Sequence, residues 1–384
     1  MATAEWRPSD WACHGGEAGR LLQGQQVTSA RWLRPEELSC HVLRTERLTC
    51  QVFWCLRLPE VAEAMLAQRT MEFPGRAVLG AQRPVLHLVG GHDGRGQLSR
   101  CWRMDPRSGD WQEAAPLPSA RSMAAAAALG GRLYVAGGFD GGYLRDVEVF
   151  DPAWNCWSAG PAMLQKRGGL ALVALRGQLF ACGGKDEDAI HRSAEAFQLP
   201  RSVSEPPEGA WRALPALSSA RCYPAARRVF GAVWLCGGLS RAGILKSTEF
   251  LALDADRWQP GPEMLFARAS AAAADLRMGL MVCGGCTQEG PLDTAEILTP
   301  DGFQLLPQLG GFRSSGTAAL AMAPSCAAGE FFRQRVLIFG GFNGKKHLKS
   351  VEAFNEERCC FELAGELPEA VLGVAAAAVC MPLL

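Results

Sequence analysis

A Gly-Gly pair recurs six times along this 384-residue chain, each time directly after a short apolar segment. The pairs begin at residues 90, 137, 183, 237, 284 and 340, so successive pairs are 47, 46, 54, 47 and 56 residues apart. A period of this size is typical of the blades of a β-propeller rather than of a helical solenoid. The spacing therefore predicts an all-β fold, a six-bladed propeller.

Other landmarks keep their place within the repeat. A glutamate follows the second glycine by 10 or 11 residues in five repeats, and Trp102 replaces it in the first. A large aromatic residue comes next, and a turn that ends in arginine then leads into the following repeat in most cases. This order predicts a four-stranded blade whose second strand ends at the Gly-Gly pair. The third strand then carries the glutamate, at Glu148, Glu195, Glu249, Glu296 and Glu352.

The strand that opens each blade is rich in small residues, as in 123–129 and 271–274, where alanine dominates. Alanine favours helix by intrinsic propensity, but the repeat context overrides that local preference. Strands next to a propeller axis have the least room, so we expect small side chains there.

The last small-residue segment, 371–381, has no blade of its own, because it follows Phe361, the aromatic residue of the sixth repeat. The first blade begins with only the short segment 76–80 before its Gly-Gly strand. We therefore expect residues 371–381 to supply the inner strand of blade 1, which closes the ring and removes exposed sheet edges. The alternative is a membrane anchor, but the apolar stretch has 14 residues, and a span needs about 18–20.

These repeat residues resemble the kelch repeat, most clearly in blade 2 between Leu133 and Arg167. The resemblance extends over 76–384, about four-fifths of the chain, and is weakest in blade 5, where Phe303 stands in place of tryptophan. Blade 2 is similar to the blades of kelch-like adaptor proteins of cullin-RING ubiquitin ligases. The resemblance implies a monomeric protein-interaction module without catalytic activity, acting as a substrate-recognition or scaffold subunit, with cullin-ligase subunits as possible partners.

The resemblance also implies that two sets of loops at one mouth of the propeller bind a partner protein. One set enters each inner strand and carries arginines, and the other follows each Gly-Gly pair. Five converging arginines would suit a short acidic peptide segment, because guanidinium groups bind carboxylates in a bidentate manner. The alternative is that each arginine pairs with a strand glutamate, since an unpaired buried glutamate is costly. The candidate partner-binding residues are Arg121, Ser122, Phe139, Arg167, Arg221, Tyr223, Arg268, Arg313, Ser314, Phe342 and Asn343.

Composition and charge narrow the function classes. The chain has 39 Lys and Arg residues and 39 Asp and Glu residues, so no net field favours nucleic acid or an anionic membrane. The first residues lack an apolar core segment, which predicts a cytoplasmic protein without a secretory signal. The 15 cysteines lack disulfide-framework spacing, so we expect reduced thiols, with Cys182, Cys236 and Cys283 in the core because they precede Gly-Gly pairs.

The sequence predicts no cofactor and no metal site. Cys283 and Cys286 have the spacing of a metal or redox pair, but Cys283 is a repeat position and no second pair exists. The segment 340–345 imitates a phosphate loop, yet it is one residue too short and leads into a strand. The alternative function is a carbohydrate-active or other enzyme on the same fold. Such an enzyme would bring several carboxylates or histidines together at the mouth.

Residues 1–75 lie outside the repeat and form an N-terminal extension, predicted to be disordered over 1–30 and helical from Arg34. Segment 33–43 faintly resembles the start of an F-box, which would connect the chain to a cullin ligase; the alternative is a helical cap on the propeller. No segment before the blades resembles a BTB or BACK domain, so cullin-3 binding is not expected from this chain alone. A metal cluster of Cys40, His41, Cys50 and Cys55 is not expected either, because its spacing is irregular.

Overall fold

The computed structural model describes residues 82–105, 108–199, 210–276, 279–311, 313–314, 317–321 and 335–382. The predicted N-terminal extension, with its helices, its F-box-like segment and its cysteine cluster, lies outside the described residues. Within the described ranges every helix or strand element is a β-strand, and we number these β1 to β26 in chain order. They form six four-stranded antiparallel sheets and one additional two-stranded hairpin. The expectation of an all-β, six-bladed propeller is therefore confirmed.

Each blade runs from an inner strand beside the axis to an outer strand. In that order, blade 1 consists of β26 (Ala375–Pro382), β1 (Gln82–Val89), β2 (Cys101–Met104) and β3 (Trp111–Ala114). Blade 2 consists of β4 (Ala125–Leu129), β5 (Arg132–Ala136), β6 (Val147–Asp151) and β7 (Cys156–Gly160). Blade 3 consists of β8 (Ala171–Leu175), β9 (Gln178–Cys182), β10 (Ala194–Gln198) and β11 (Trp211–Leu214).

The other three blades repeat this order. Blade 4 consists of β12 (Ala225–Val229), β13 (Ala232–Cys236), β16 (Thr248–Ala252) and β17 (Gln259–Pro260), and its loop forms the hairpin β14 (Leu239–Ser240) and β15 (Gly243–Ile244). Blade 5 consists of β18 (Ala272–Leu276), β19 (Gly279–Cys283), β20 (Ala295–Thr299) and β21 (Gly302–Leu306). Blade 6 consists of β22 (Thr317–Ala321), β23 (Arg335–Phe339), β24 (Ser350–Asn355) and β25 (Cys360–Glu366).

The C-terminal strand closes the ring. β26 pairs antiparallel with β1 over its whole length, from Val89 opposite Ala375 to Gln82 opposite Pro382. The inner strands contact one another in a complete cycle, β26 to β4, β8, β12, β18, β22 and back to β26. The prediction that the C-terminal segment completes blade 1 is thus confirmed, and both ends of the propeller chain share one sheet.

The Gly-Gly pairs permit close approach between neighbouring blades. Gly284 has φ +62°, and a Cβ atom there would lie only 2.6 Å from the carbonyl oxygen of Arg313. The N–H of the next residue, Gly285, donates to that same oxygen at 2.8 Å. A side chain at the first glycine would therefore separate the two blades, which explains the recurrence of the pair.

The outer aromatic residues also join neighbouring blades. The indole N–H of Trp157 donates to the carbonyl of Ala115 at 2.7 Å, and that of Trp211 donates to Pro161 at 2.8 Å. The ring of each tryptophan thus fills the space where two neighbouring blades diverge. Its indole N–H is hydrogen-bonded to the segment that follows the outer strand of the preceding blade.

The three cysteines that precede Gly-Gly pairs lie in the core, as predicted. Cys182, Cys236 and Cys283 are at most 1 % exposed. Burial raises the pKa of each thiol to about 12, so these thiols stay protonated and unreactive near neutral pH.

A buried histidine makes the stability of the fold sensitive to pH. His87 on β1 is fully buried against the ring of Phe150, and burial lowers its pKa to about 4. Between these pH values the His87 imidazole binds a proton in the unfolded chain but not in the folded chain. The stability of the fold therefore falls as the pH drops from about 6.5 towards 4. Between neutral pH and about pH 4.5, the free energy of unfolding of the parent should fall further than that of His87→Leu. We expect the two decreases to differ by about 2–3 kcal/mol. Denaturant unfolding at both pH values measures this difference, and equal losses in the two proteins would contradict it.

Candidate protein-binding face

The two predicted loop sets meet on one face, which we call the mouth face. The residue after each turn arginine pairs through its backbone with the residue after the Gly-Gly pair of the same blade. In blade 1, which lacks the arginine, Leu372 pairs with His92 in the same way. The five other pairs are Ser122 with Phe139, Gly168 with Lys185, Cys222 with Leu239, Ala269 with Cys286, and Ser314 with Phe342.

Each Gly-Gly loop is held in shape by a polar side chain at its second position. Asp186, for example, accepts the backbone N–H groups of Asp188 and Ala189 at 3.0 and 2.9 Å. Asn343 accepts those of Lys345 and Lys346 at 3.0 and 2.9 Å. This candidate binding residue is thus occupied as a loop cap, and the loops of the mouth face are fixed by local hydrogen bonds. Asp93, Asp140, Ser240 and Thr287 cap the other loops in the same way.

The five turn arginines are buried, with exposures of 0–2 %, and each forms an ion pair with the glutamate on the third strand of its own blade. Arg167 illustrates the arrangement. Its Nε donates to Glu195 at 2.8 Å and its Nη1 donates to the carbonyl of Gly183 at 2.6 Å. The same glutamate accepts the backbone N–H of Leu164 at 2.6 Å. The guanidinium therefore ties the turn, the Gly-Gly strand and the third strand together.

This geometry corrects the expectation that the arginines line a basic surface for an acidic peptide. The guanidinium groups of Arg121, Arg167, Arg221, Arg268 and Arg313 lie beneath the mouth face, and carboxylates of the same blades neutralise them. Ser122 and Ser314 are also buried, at 4 % and 9 % exposure. Because these side chains cannot reach a partner without unfolding the turn, the accessible surface must consist of other residues.

The first blade supports the structural role of the pair, because it lacks both members. Val371 stands at the arginine position and Trp102 at the glutamate position. The backbone contact persists, since the N–H of Gly341 donates to the carbonyl of Val371 at 3.0 Å. The indole of Trp102 instead donates to Glu369 at 3.1 Å. Arginine and glutamate are thus replaced together by a pair of largely apolar side chains.

Residues with positive φ surround the axis on the mouth face. Met123, Gly169, Tyr223 and Ser270 occupy equivalent positions, two residues after each arginine position, and have φ between 53 and 63°. The N–H of Gly169 donates to Met123, that of Tyr223 to Gly169, and that of Ser270 to Tyr223, at 2.6–2.9 Å. The blades are therefore joined by consecutive backbone hydrogen bonds beside the axis, and their side chains stand at the centre of the face.

Four residues form what we call the aromatic cluster: Phe139, Tyr143, Lys185 and Tyr223. The rings of Phe139 and Tyr143 are 5.2 Å apart, and the Nζ of Lys185 lies 5.7 Å from the ring centres of both tyrosines. The hydroxyl of Tyr223 reaches the sulfur of Met123, 3.0 Å away. All four members are half-buried, so each keeps a surface that a partner can contact.

The candidates predicted from the sequence include Phe139 and Tyr223 but not Tyr143 or Met123, and Lys185 belongs to the predicted loop set that follows the Gly-Gly pairs. Tyr143 lies outside the repeat landmarks, and Lys185 and Met123 occupy repeat positions whose residue type changes from blade to blade. The available signal was the equivalence of Met123 and Tyr223, each two residues after an arginine. The third accessible candidate, Phe342, is half-buried on blade 6 beside His347, with ring centres 5.6 Å apart.

In the part of the chain that the structure describes, no three His, Cys, Asp or Glu side chains are grouped so that they could hold a metal ion. Cys283 is buried in β19 and Cys286 pairs through its backbone with Ala269, so both cysteines occupy structural positions of the repeat. None of the described residues form a helix long and apolar enough to span a membrane.

A family model for the Kelch motif matches residues 120–164 and 323–368. Both segments thus match the kelch motif, and the chain resembles the kelch domains of kelch-like proteins. An F-box/kelch-repeat protein of Arabidopsis thaliana is 29 % identical over 164 residues, covering 39 % of this chain and 34 % of that protein. Kelch-like protein 35 of Mus musculus is 47 % identical over 75 residues, covering 19 % and 13 % of the two chains. Kelch-like protein 33 of Homo sapiens is 37 % identical over 97 residues, covering 23 % and 18 %.

The chain therefore spans about a third or less of the length of these curated relatives. Among solved structures, that of YjhT matches with a TM-score of 0.57 at 14 % identity, covering 76 % of this chain and 99 % of the other. At this identity the similarity concerns the fold alone.

Proposed function

We propose that this kelch-repeat chain is a non-enzymatic protein-interaction module whose mouth face binds a partner protein through the aromatic cluster. We further propose that it is a substrate-recognition or scaffold subunit of the kind used in cullin-RING ubiquitin ligases. Similarity to kelch-like and F-box/kelch-repeat proteins supports both steps. The proposed site of action is the cytoplasm.

The aromatic cluster is the observation that carries this function. Tyrosine is enriched at the hot spots of protein interfaces, because its ring buries a large apolar area while its hydroxyl can form a hydrogen bond. Here Tyr143 and Tyr223 stand on loops that backbone hydrogen bonds hold rigid, so little conformational entropy is lost on binding. Tyr223 belongs to the residues joined beside the axis, so a partner that covers the mouth would bury this member of the cluster.

The alternative function, a carbohydrate-active or other enzyme, needs several carboxylates or histidines free to act on one small ligand. On the mouth face, Asp93, Asp140 and Asp186 instead accept backbone N–H groups of their own loops. The buried glutamates are likewise committed to the arginines. These contacts favour the interaction module.

Affinity purification from cells followed by mass spectrometry tests the proposal. We expect Phe139→Ala combined with Tyr143→Ala to reduce partner recovery at least about tenfold, as loss of a hot spot does. The matched control is Trp154→Ala, which removes an aromatic side chain that is 80 % exposed on the turn between β6 and β7, at the opposite end of blade 2. This control should leave recovery unchanged, and melting curves should verify that both variants are folded.

The outcomes separate the two steps of the proposal. Equal recovery with the parent and the double variant would contradict the aromatic cluster as the binding site. Recovery of partners together with cullin and Skp1-type subunits would support the ligase role. Reproducible partners without any cullin subunit would contradict that role while leaving the interaction module intact.

A further inference from the structure

The loops of blades 6 and 1 contact each other on the mouth face, where the ring closes. The rings of His92 and His347 lie edge to face, 6.5 Å apart, and the ring of Phe342 also contacts His347 edge to face, at 5.6 Å. A Cβ atom on Gly94 would lie 3.0 Å from the His347 ring, so the two loop tips are already in contact. The three rings form a continuous half-buried floor between the loop tips.

The same two loops carry three cationic side chains. Arg95 on the blade 1 loop and Lys345 and Lys346 on the blade 6 loop are exposed, and none forms an ion pair with a described residue. On the same face Lys166, by contrast, pairs with Glu187 at 3.3 Å. We call Arg95, Lys345 and Lys346, together with the three rings, the seam patch.

On the two loops of the patch, residues 92–97 and 342–347, Asp93 supplies the single carboxylate. Glu369 is engaged by Arg100 at 3.2 Å and by the indole of Trp102 at 3.1 Å. Asp93 accepts the backbone N–H groups of Arg95 and Gly96 at 2.7 and 3.0 Å, and these bonds hold its pKa below the usual range. These two loops therefore carry three cations, none of them in an ion pair with a described residue, and one carboxylate, while the whole chain is neutral.

We propose that the seam patch binds an acidic segment of the partner polypeptide, with its carboxylates at Lys345, Lys346 and Arg95 and an apolar side chain on the Phe342 and His347 floor. This proposal rests on the proposed function, since it names the chemistry of the partner that the mouth face receives. Charge complementarity of this kind directs a segment to one sector of an interface and sets its orientation. The acidic segment would then lie over blades 6 and 1, and the remainder of the partner would extend towards the aromatic cluster.

Fluorescence anisotropy with the purified full chain tests the proposal directly. The probe is a fluorescein-labelled peptide of alternating glutamate and alanine with one central leucine, and a lysine-alanine peptide of the same design is the negative probe. We expect saturable binding of the glutamate peptide at low salt and weaker binding at high salt. The charge reversal Lys345→Glu with Lys346→Glu should weaken that binding by about tenfold or more.

The chain offers a matched control on the same face. Arg241→Glu with Lys246→Glu changes the net charge by the same amount, on the exposed loop of blade 4. We expect less than about a twofold change there, because that loop is remote from the seam patch. Equal weakening by both double variants, tighter binding of the lysine peptide, or no saturable binding would each overturn the proposal.

This result can be separated from a failure of the proposed function. Phe139→Ala combined with Tyr143→Ala should leave binding of the glutamate peptide unchanged, because neither residue belongs to the seam patch. If the seam patch binds the peptide but no partner is recovered from cells, the proposed function is contradicted, whereas the seam patch is still shown to bind an acidic segment. If partners are recovered equally by the parent and by the Lys345→Glu and Lys346→Glu variant, the seam patch is not part of the partner interface.

Discussion

Removing residues 371–384 should abolish cooperative folding of the propeller. The deletion takes away β26, whose eight residues pair with β1 and whose Val379 is 1 % exposed. It also removes Val371, whose carbonyl accepts the N–H of Gly341 of blade 6. The expected loss is comparable with the whole stability of a typical domain, about 5–15 kcal/mol. Thermal melting followed by circular dichroism, with sedimentation to detect aggregates, measures the effect.

A shorter truncation provides the control for this deletion. Removing only residues 383 and 384, which follow β26, should leave the melting temperature close to that of the parent. A point change, Val379→Asp, should be severely destabilising, because it buries a charge without a partner between blades 1 and 2. If the protein without residues 371–384 melts cooperatively at the parent temperature, β26 does not close the ring.

Much of the fold could be predicted from the sequence because the repeat imposes the same backbone requirement six times. A positive φ beside a neighbouring carbonyl demands glycine, and Gly284 and its equivalents therefore mark the end of every second strand. The closing segment was predicted as 371–381, whereas β26 spans Ala375–Pro382. The difference has a physical cause: residues 371 and 372 bond Gly341 and His92 on the mouth face before the strand begins.

The candidate site was less predictable because the spacing of the repeat does not determine the direction in which a side chain points. The repeat spacing places Arg268 at the entrance of a loop, and this position is compatible both with a side chain that faces a partner and with one that pairs with Glu296. The burial of Arg268 in the structure decides for the pairing with Glu296. Loop tips such as Arg95 and Lys345 are unconstrained by the repeat, so their meeting on one face emerged only from the three-dimensional arrangement.

Breaking a buried arginine-glutamate pair should destabilise the fold strongly. Arg268→Met leaves Glu296 buried without its guanidinium, although two backbone N–H groups still bond the carboxylate, at Leu265 and Phe266. Removing one partner of a buried pair typically costs about 3–5 kcal/mol. Because Arg268 also donates to the carbonyl of Gly284 at 2.7 Å, we expect a value within this range despite the remaining bonds. Equilibrium unfolding in denaturant gives the free-energy change.

The same chain contains an exposed pair with which to compare it. Arg358 and Glu362 lie 3.3 Å apart with side-chain exposures of 65 % and 34 %, so Arg358→Met should cost no more than about 1 kcal/mol. In the double variant Arg268→Met with Glu296→Leu, no buried charge is left unpaired, and the loss should be smaller than the sum of the two single losses by at least about 1 kcal/mol. If Arg268→Met is as mild as Arg358→Met, the buried arginines do not hold the blades together. Their burial would then be a consequence of the repeat geometry rather than a source of its stability.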